Sequence, residues 1–283
     1  MALSMEEKQR LQDLARELRL TVIDVMAWSG GAHVGGSLSI IDILTILYFK
    51  YLKIDPANPK WEDRDRFVLS KGHTAPGLYA ALAQRGFFPE EDLLTLRQIG
   101  SHLQGHPNMN LTPGVDMSTG SLGQGVSAAA GMALAAKYQG KSCRVYTLLG
   151  DGEIQEGQVW EAFMFAHHYK LDNLCVIIDN NGLQIDGPVD KVMSPYPIPD
   201  KLKAFGFAVK EIDGHDFDQI EAAFAQAKET KGVPFAIVMK TTKGKGVSYM
   251  ENQAGWHGKA PNDEEYKIAI DELTAQLAEV EAM

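Results

Sequence analysis

The sequence predicts an α/β fold, a parallel sheet with helices on both faces. Short apolar runs alternate with amphipathic segments through most of the chain, the pattern of successive βαβ units. Glycine-rich loops follow several of those runs, as at the rim of an open sheet. No internal repeat, low-complexity stretch or linker divides the 283 residues. A single domain over 1–283 is therefore expected.

Each element has its own signal. Met5 to Ala27 places Leu11, Leu14, Leu18, Val22 and Val25 at helical spacing between charges. The loop GGAHVGG follows, then a mostly buried helix from Ser39 to Leu52. KIDPANPKWEDRDR, with two prolines, reads as a surface loop. Phe67 to Ser70 is a short strand, and Gly77 to Arg85 and Pro89 to Arg97 are helices. Gly100 to Gly125 is loop, rich in Gly, Pro, Asn and Ser. Val126 to Tyr138 is a helix crowded with Ala and Gly, suited to close backbone approach. Arg144 to Leu149 and Leu174 to Ile178 are strands, joined by a helix from Gln158 to Tyr169. Gly206 to Ile212 and Phe235 to Met239 are strands around a helix from Phe217 to Lys228. Lys240 to Asn262 is a polar loop, and Asp263 to Val280 an acidic amphipathic helix.

Composition excludes some functions. Hydrophobic residues make up 45% of the chain and charged residues 23%, an ordinary globular mix. A net charge of -10 argues against a nucleic-acid surface, which needs clustered Lys and Arg. It leaves room for a small phosphorylated ligand held by a metal ion and backbone N–H groups. Cys143 and Cys175 lie in apolar runs without metal-ligand spacing and read as core residues. That usage suits a reducing cytoplasm. The first residues, MALSMEEKQRLQ, have no signal-like apolar core. No apolar run reaches the roughly 18 residues of a membrane span.

The segment from Leu148 to Gly187 carries the chemistry. Asp151 lies between two glycines at the end of one apolar run, and Asn180–Asn181 end the next. Parallel strands put both ends on one rim. GDGEIQEG fits neither G-x-G-x-x-G nor a P-loop. An Asp facing a diphosphate is repulsive unless a cation lies between. Magnesium, with its oxygen ligands, suits that place: Asp151 offers a carboxylate, Asn181 an amide oxygen, and the loop near Leu183 a carbonyl. Singly, Asp151 could cap a helix and the Asn pair could make a turn. Together, at this spacing, they point to a magnesium-bridged diphosphate. His33, His73, His106 and His257 also fall in Gly-rich loops. Imidazoles there suit proton transfer near neutral pH. His102, His167, His168 and His215 read as structural.

GDG followed at this distance by NN resembles the thiamine-diphosphate motif, and the chain resembles the N-terminal half of the transketolases over nearly its whole length. SGGAHVGGSLS, LSKGHTAPGLY, LQGHPN, STGSLGQG and KTTKGKGVSYMENQAGWHG carry the match in the same order. The resemblance implies a thiamine-diphosphate-binding fold with magnesium, or calcium or manganese in its place, on Asp151, Asn181 and the Leu183 carbonyl. It implies that His73, Gly152 and His257 contact the diphosphate, and that Gly120 and Leu122 line the aminopyrimidine. Ile185 would lie at the thiazolium. His33, His106 and His257 would face the sugar, and Glu156 would bond across to a second cofactor-binding domain. The family usually has Ser-Gly-His-Pro-Gly where this chain has Gly31-Ala32-His33-Val34-Gly35.

The implied reaction moves a two-carbon ketol unit between sugar phosphates, in the pentose phosphate pathway of the cytoplasm. A full transketolase continues into a pyrimidine-binding domain and a C-terminal domain, which nothing here matches. The expectation is therefore an N-terminal subunit, inactive alone, with a separate pyrimidine-domain subunit in an α2β2 assembly. Two alternatives stand beside it. One is a subunit like deoxyxylulose-phosphate synthase or the α chain of a 2-oxo-acid dehydrogenase. The other is a thiamine-diphosphate-binding module without catalysis.

Overall fold

The computed structural model describes residues 3–31 and 33–281. Residues 1, 2, 32, 282 and 283 of the expected domain, and with them Ala32 of the His33 loop, lie outside the described residues. Helix α1 (Met5–Ser29) starts where Ser4 Oγ accepts from the Glu7 amide and ends at Gly30, φ 70°. Helices α2 (Val34–Leu38) and α3 (Ile41–Ile46) come before strand β1 (Arg66–Leu69). Helices α4 (Ala75–Gln84) and α5 (Gln124–Tyr138) lead to β2 (Val145–Gly150). Helix α6 (Gly157–His168) leads to β3 (Leu174–Asn180). A small hairpin, β4 (Leu183–Gln184) and β5 (Gly187–Pro188), precedes α7 (Val189–Val192) and α8 (Ile198–Ala204). Strand β6 (Ala208–Asp213), α9 (Phe217–Glu229), β7 (Phe235–Lys240) and α10 (Asp263–Glu281) complete the chain.

Five strands form one parallel sheet in the order β1-β2-β3-β7-β6. Alternate residues of each strand feed two cores. Tyr146, Leu148, Cys175, Ile177, Phe235 and Ile237 pack with the apolar faces of α1, α3, α4 and α9. Val145, Leu149, Val176, Ile178, Ala236 and Val238 pack with α5, α6 and α8. The sheet is thus covered on both faces, as the non-alternating apolar runs require. Both cysteines are free thiols, buried as expected. Among the described residues, no helix is long and apolar enough to cross a membrane.

Several expected elements differ. The single helix over Ser39 to Leu52 is interrupted at Ile40 (φ -107°, ψ 0°). It ends in a π-turn, Leu47–Tyr51, where the Leu52 amide donates to the Leu47 carbonyl. Part of the GGAHVGG loop is helical, because Val34, Gly35 and Gly36 belong to α2. Pro89 to Arg97 is a 3₁₀ segment, Glu90–Thr95, in which only Leu93 is buried, too small an apolar face for a longer helix. Strand β6 begins after Gly206, whose φ of 84° ends extended pairing there. Helix α8 was hidden by the prolines of PYPIPD, yet Pro199 lies in its first turn, where no intrahelical N–H is needed.

Candidate active site

The cavity opens at the carboxyl ends of β2 and β3. Gly150 pairs with Asp179, and the Asp151 amide donates to the Asp179 carbonyl at 3.1 Å. That register brings Asp151 beside the Asn180–Asn181 turn. The space is about 410 Å³, ample for a small cofactor. It is lined by His33, His73, Gly120, Leu122, Asp151, Gly152, Glu156, Asn181, Leu183, Ile185 and His257. Of the residues singled out in the sequence for this chemistry, Asn180 and His106 are not on its wall. His106 is exposed, and its ring lies 3.0 Å from where a Cβ on Gly120 would stand. Glycines let the loops meet elsewhere too: a Cβ on Gly72 would lie 2.6 Å from Thr119 Oγ1 and 2.8 Å from the Gly120 amide nitrogen.

Three histidines form one cluster. The ring centres of His33 and His73 are 4.9 Å apart, and each is within 5.2 Å of His257. Burial, reinforced by Lys71, drives His73 down to about 2. Burial and then Lys243 take His257 to about 3. His33 is lowered by burial and by its cationic neighbours. The rings are therefore neutral at pH 7, each with one nitrogen to donate and one to accept.

Two buried carboxylates behave oppositely. Burial alone would raise Asp179, but Lys71 at 2.5 Å, with Thr241 and Ser39, holds it low. Asp151 is pushed up to about 7 by burial and then by the charge of Asp179. Its oxygens accept from the Gly152 amide at 2.8 Å and the Gly182 amide at 2.6 Å, and among the described residues no cationic side chain pairs with it. Asn181 Oδ1 accepts from the Leu183 amide at 3.1 Å, and the Leu183 carbonyl accepts from Lys243 Nζ at 3.3 Å. Each of these oxygens keeps a lone pair. The set fits a hard cation that takes its remaining ligands from phosphate or water. Among the described residues there is no cluster of three or more His, Cys, Asp or Glu to cage a metal, so such a cation needs oxygens from elsewhere.

The chain matches a family model described as "Transketolase, thiamine diphosphate binding domain" over residues 10–278. It belongs to the transketolase family. Among its relatives is the 6-deoxy-6-sulfo-D-fructose transketolase subunit SqwG of Clostridium sp. (strain MSTE9), 48% identical across 96% of this chain and 99% of the relative. One of the apulose-4-phosphate transketolase subunits of Phocaeicola vulgatus is 42% identical, covering 97% of both chains. The crystal structure of transketolase from Campylobacter jejuni superposes with a TM-score of 0.88 at 37% identity, covering 93% of this chain and 42% of that one. The chain thus spans less than half of that solved transketolase.

Several lining residues of this transketolase domain escaped the sequence reading. Lys71 and Lys243 lie within the matching segments, in LSKGH and KTTKGKG, but nothing local marked them as buried. Lys243 Nζ lies 2.9 Å from His257 Nδ1, and burial, then repulsion from Lys71, lowers it to about 8. Glu153, also buried, ties three loops together: Ser70 Oγ and the Gly123 and Gly150 amides all donate to its carboxylate. Gln155 Nε2 donates to Gln184 Oε1 and the Met193 carbonyl, both at 2.7 Å, and so holds the β4–β5 hairpin over the cavity. Asp179 closes an apolar strand, a signal that was available.

Proposed function

We propose that this chain is the N-terminal, diphosphate-binding subunit of a two-subunit transketolase, folded as one domain and working in the cytoplasm. With a separate pyrimidine-domain subunit, in an α2β2 assembly, it transfers a two-carbon ketol unit from a ketose phosphate to an aldose phosphate. The observation that carries this reading is coverage. Relatives named as separate transketolase subunits match this chain along 97–99% of their own length, while a solved transketolase is matched along 42%.

In this reading Asp151, Asn181 and the Leu183 carbonyl hold magnesium. His73, Gly152 and His257 meet the diphosphate, with Lys243 adding charge beside His257. Gly120 and Leu122 wall the aminopyrimidine end, and Ile185 the thiazolium end. Thiamine diphosphate, when bound, supplies the electron sink for breaking the ketose C2–C3 bond. The protein's part is to position groups and move protons. His33 and His257, neutral and adjacent, can take a proton from a sugar hydroxyl and return it. His106, exposed outside the cavity wall and packed against Gly120, would face the sugar. Glu156, exposed beside the cavity, is free to bond across to the partner subunit.

The test is to capture the chain from its source cells with whatever accompanies it. The complex is then assayed for ketol transfer from xylulose 5-phosphate, and from 6-deoxy-6-sulfo-fructose, to an aldose phosphate. A pyrimidine-domain partner and magnesium-dependent transfer are expected. A chain that transfers nothing with its partner on any ketose, yet decarboxylates a 2-oxo acid, overturns the reading.

A further inference from the structure

His215 links the end of β6 to α3 and to the segment after β7. It follows β6, and its Nδ1 lies 2.7 Å from Asp42 Oδ2 on α3. Its Nε2 accepts from the Thr242 amide at 2.9 Å. These two contacts decide the tautomer. A backbone N–H only donates, so Nε2 carries no proton, and the Nδ1–H is donated to Asp42. Asp42 is itself buried and accepts from Arg19 of α1 at 2.6 Å. Burial opposes its charge, but Arg19 and His215 hold its carboxyl at about 2. A firm carboxylate thus orients the ring, as second partners orient functional imidazoles elsewhere.

The amide that His215 holds lies in the strap that carries Lys243. On one side Thr241 Oγ1 donates to Asp179. On the other, the Gly244 amide donates to the Gly35 carbonyl at 2.9 Å. Between these anchors Lys243 reaches into the cavity, to His257 Nδ1 and the Leu183 carbonyl. The Thr242 amide lies one residue before Lys243, and His215 is its acceptor.

We propose that His215 is a positioning residue for this cavity. Its Asp42-set tautomer holds the Thr242 amide and thereby sets Lys243 against His257. The proposal rests on the functional reading only for what the cavity does, and its test uses no cofactor.

Nitrogen-15 NMR of the histidine rings in the isolated chain at pH 7 should show His215 protonated on Nδ1 alone. In His215→Phe the Thr242 amide should exchange with solvent at least about tenfold faster, the equivalent of one hydrogen bond of about 1.4 kcal/mol. The His257 Nδ1 resonance should move in the same direction as in Lys243→Met. His215→Gln, whose amide oxygen can still accept from Thr242, should restore both signals in large part. A merely structural role would leave His257 where it is. A ring protonated on Nε2, or a His257 signal unmoved by His215→Phe, overturns the proposal. If His215→Phe does not fold, the wild-type chain still decides: an unprotected Thr242 amide refutes it. Loss of the transketolase reading would leave these signals unchanged, so the two failures are distinguishable.

Discussion

Replacing Lys71 by Met should cost about 3–5 kcal/mol of stability at pH 7, the range for breaking one side of a buried ion pair. Lys71 Nζ lies 2.5 Å from Asp179 Oδ2, and the two side chains are 3% and 0% exposed. At an effective dielectric near 20 that distance corresponds to about 7 kcal/mol of gross attraction. Methionine avoids the several kcal/mol of desolvating an ammonium, so the net loss is smaller than the gross. Asp179 keeps donors from Ser39 at 2.8 Å, Asn181 at 2.9 Å and Thr241, but it loses its direct counter-ion. Urea unfolding followed by circular dichroism measures the change. A second arm separates charge from packing: adding Asp179→Asn to Lys71→Met removes the stranded charge, and the Ser39 and Thr241 hydroxyls can reverse to accept. The double variant should recover at least about 1.5 kcal/mol of the single's loss, a non-additivity expected of contacting residues. Lys71→Met within about 1 kcal/mol of wild type, or a double variant less stable than the single, would refute the reasoning.

Three further outcomes follow from the same geometry. Asp151→Ala should abolish magnesium-dependent binding of thiamine diphosphate to the assembled enzyme, and unchanged affinity by calorimetry would remove Asp151 from the metal set. His257→Ala should lose most ketol transfer while the thermal transition and magnesium-cofactor binding largely survive; wild-type turnover in that variant would end its proposed role. Acid should destabilise the chain through His73 and His257, at about 2 and about 3 in the fold against 6.5 for an unperturbed ring. The unfolded chain binds more protons in that window, so stability is complete above pH 6.5 and falls as pH drops toward 3. The two rings together contribute a slope of up to about 2.7 kcal/mol per pH unit between pH 5 and 4, partly offset by Asp151, whose proton the fold retains there. His73→Gln should remove about half of that slope in pH-dependent unfolding, and an unchanged slope would show that His73 is not held neutral.

The layers of the fold were legible because burial on both sheet faces leaves a plain mark: runs such as LCVII have no alternation, and they became β3 and its neighbours. The rim was legible because GDG and NN stand at strand ends, and strand ends of a parallel sheet share one edge. What was not legible depended on contacts between distant segments. Nothing near Lys71 announces that Asp179, 108 positions away, neutralises it. Nothing near His215 announces Asp42 or the Thr242 amide. Both lysines look like solvated loop residues in the sequence, and both are buried. Helix α8 was missed for a local reason, since prolines that end most helices can also sit in the first turn of one.

Those hidden contacts bear on why Asp151 is the proposed seat of a cation. Three carboxylates are buried there, Asp151, Glu153 and Asp179, and a dry site cannot hold several uncompensated charges. Burial raises Glu153, whose oxygens accept from Ser70 Oγ and the Gly123 and Gly150 amides. Lys71 is committed to Asp179, which the hydroxyls of Ser39 and Thr241 also satisfy. Lys243, the other cation at hand, contacts His257 and the Leu183 carbonyl instead, and burial lowers it to about 8. Asp151 has two backbone donors and, among the described residues, no ion-pair partner, and burial with the Asp179 charge raises it to about 7. In the proposed reading, a divalent cation on Asp151 would supply the charge that the protein withholds. Its remaining coordination must come largely from a ligand, because the described residues offer no acidic or imidazole cage. Metal and anionic ligand are therefore expected to bind this cavity together, each weakly without the other.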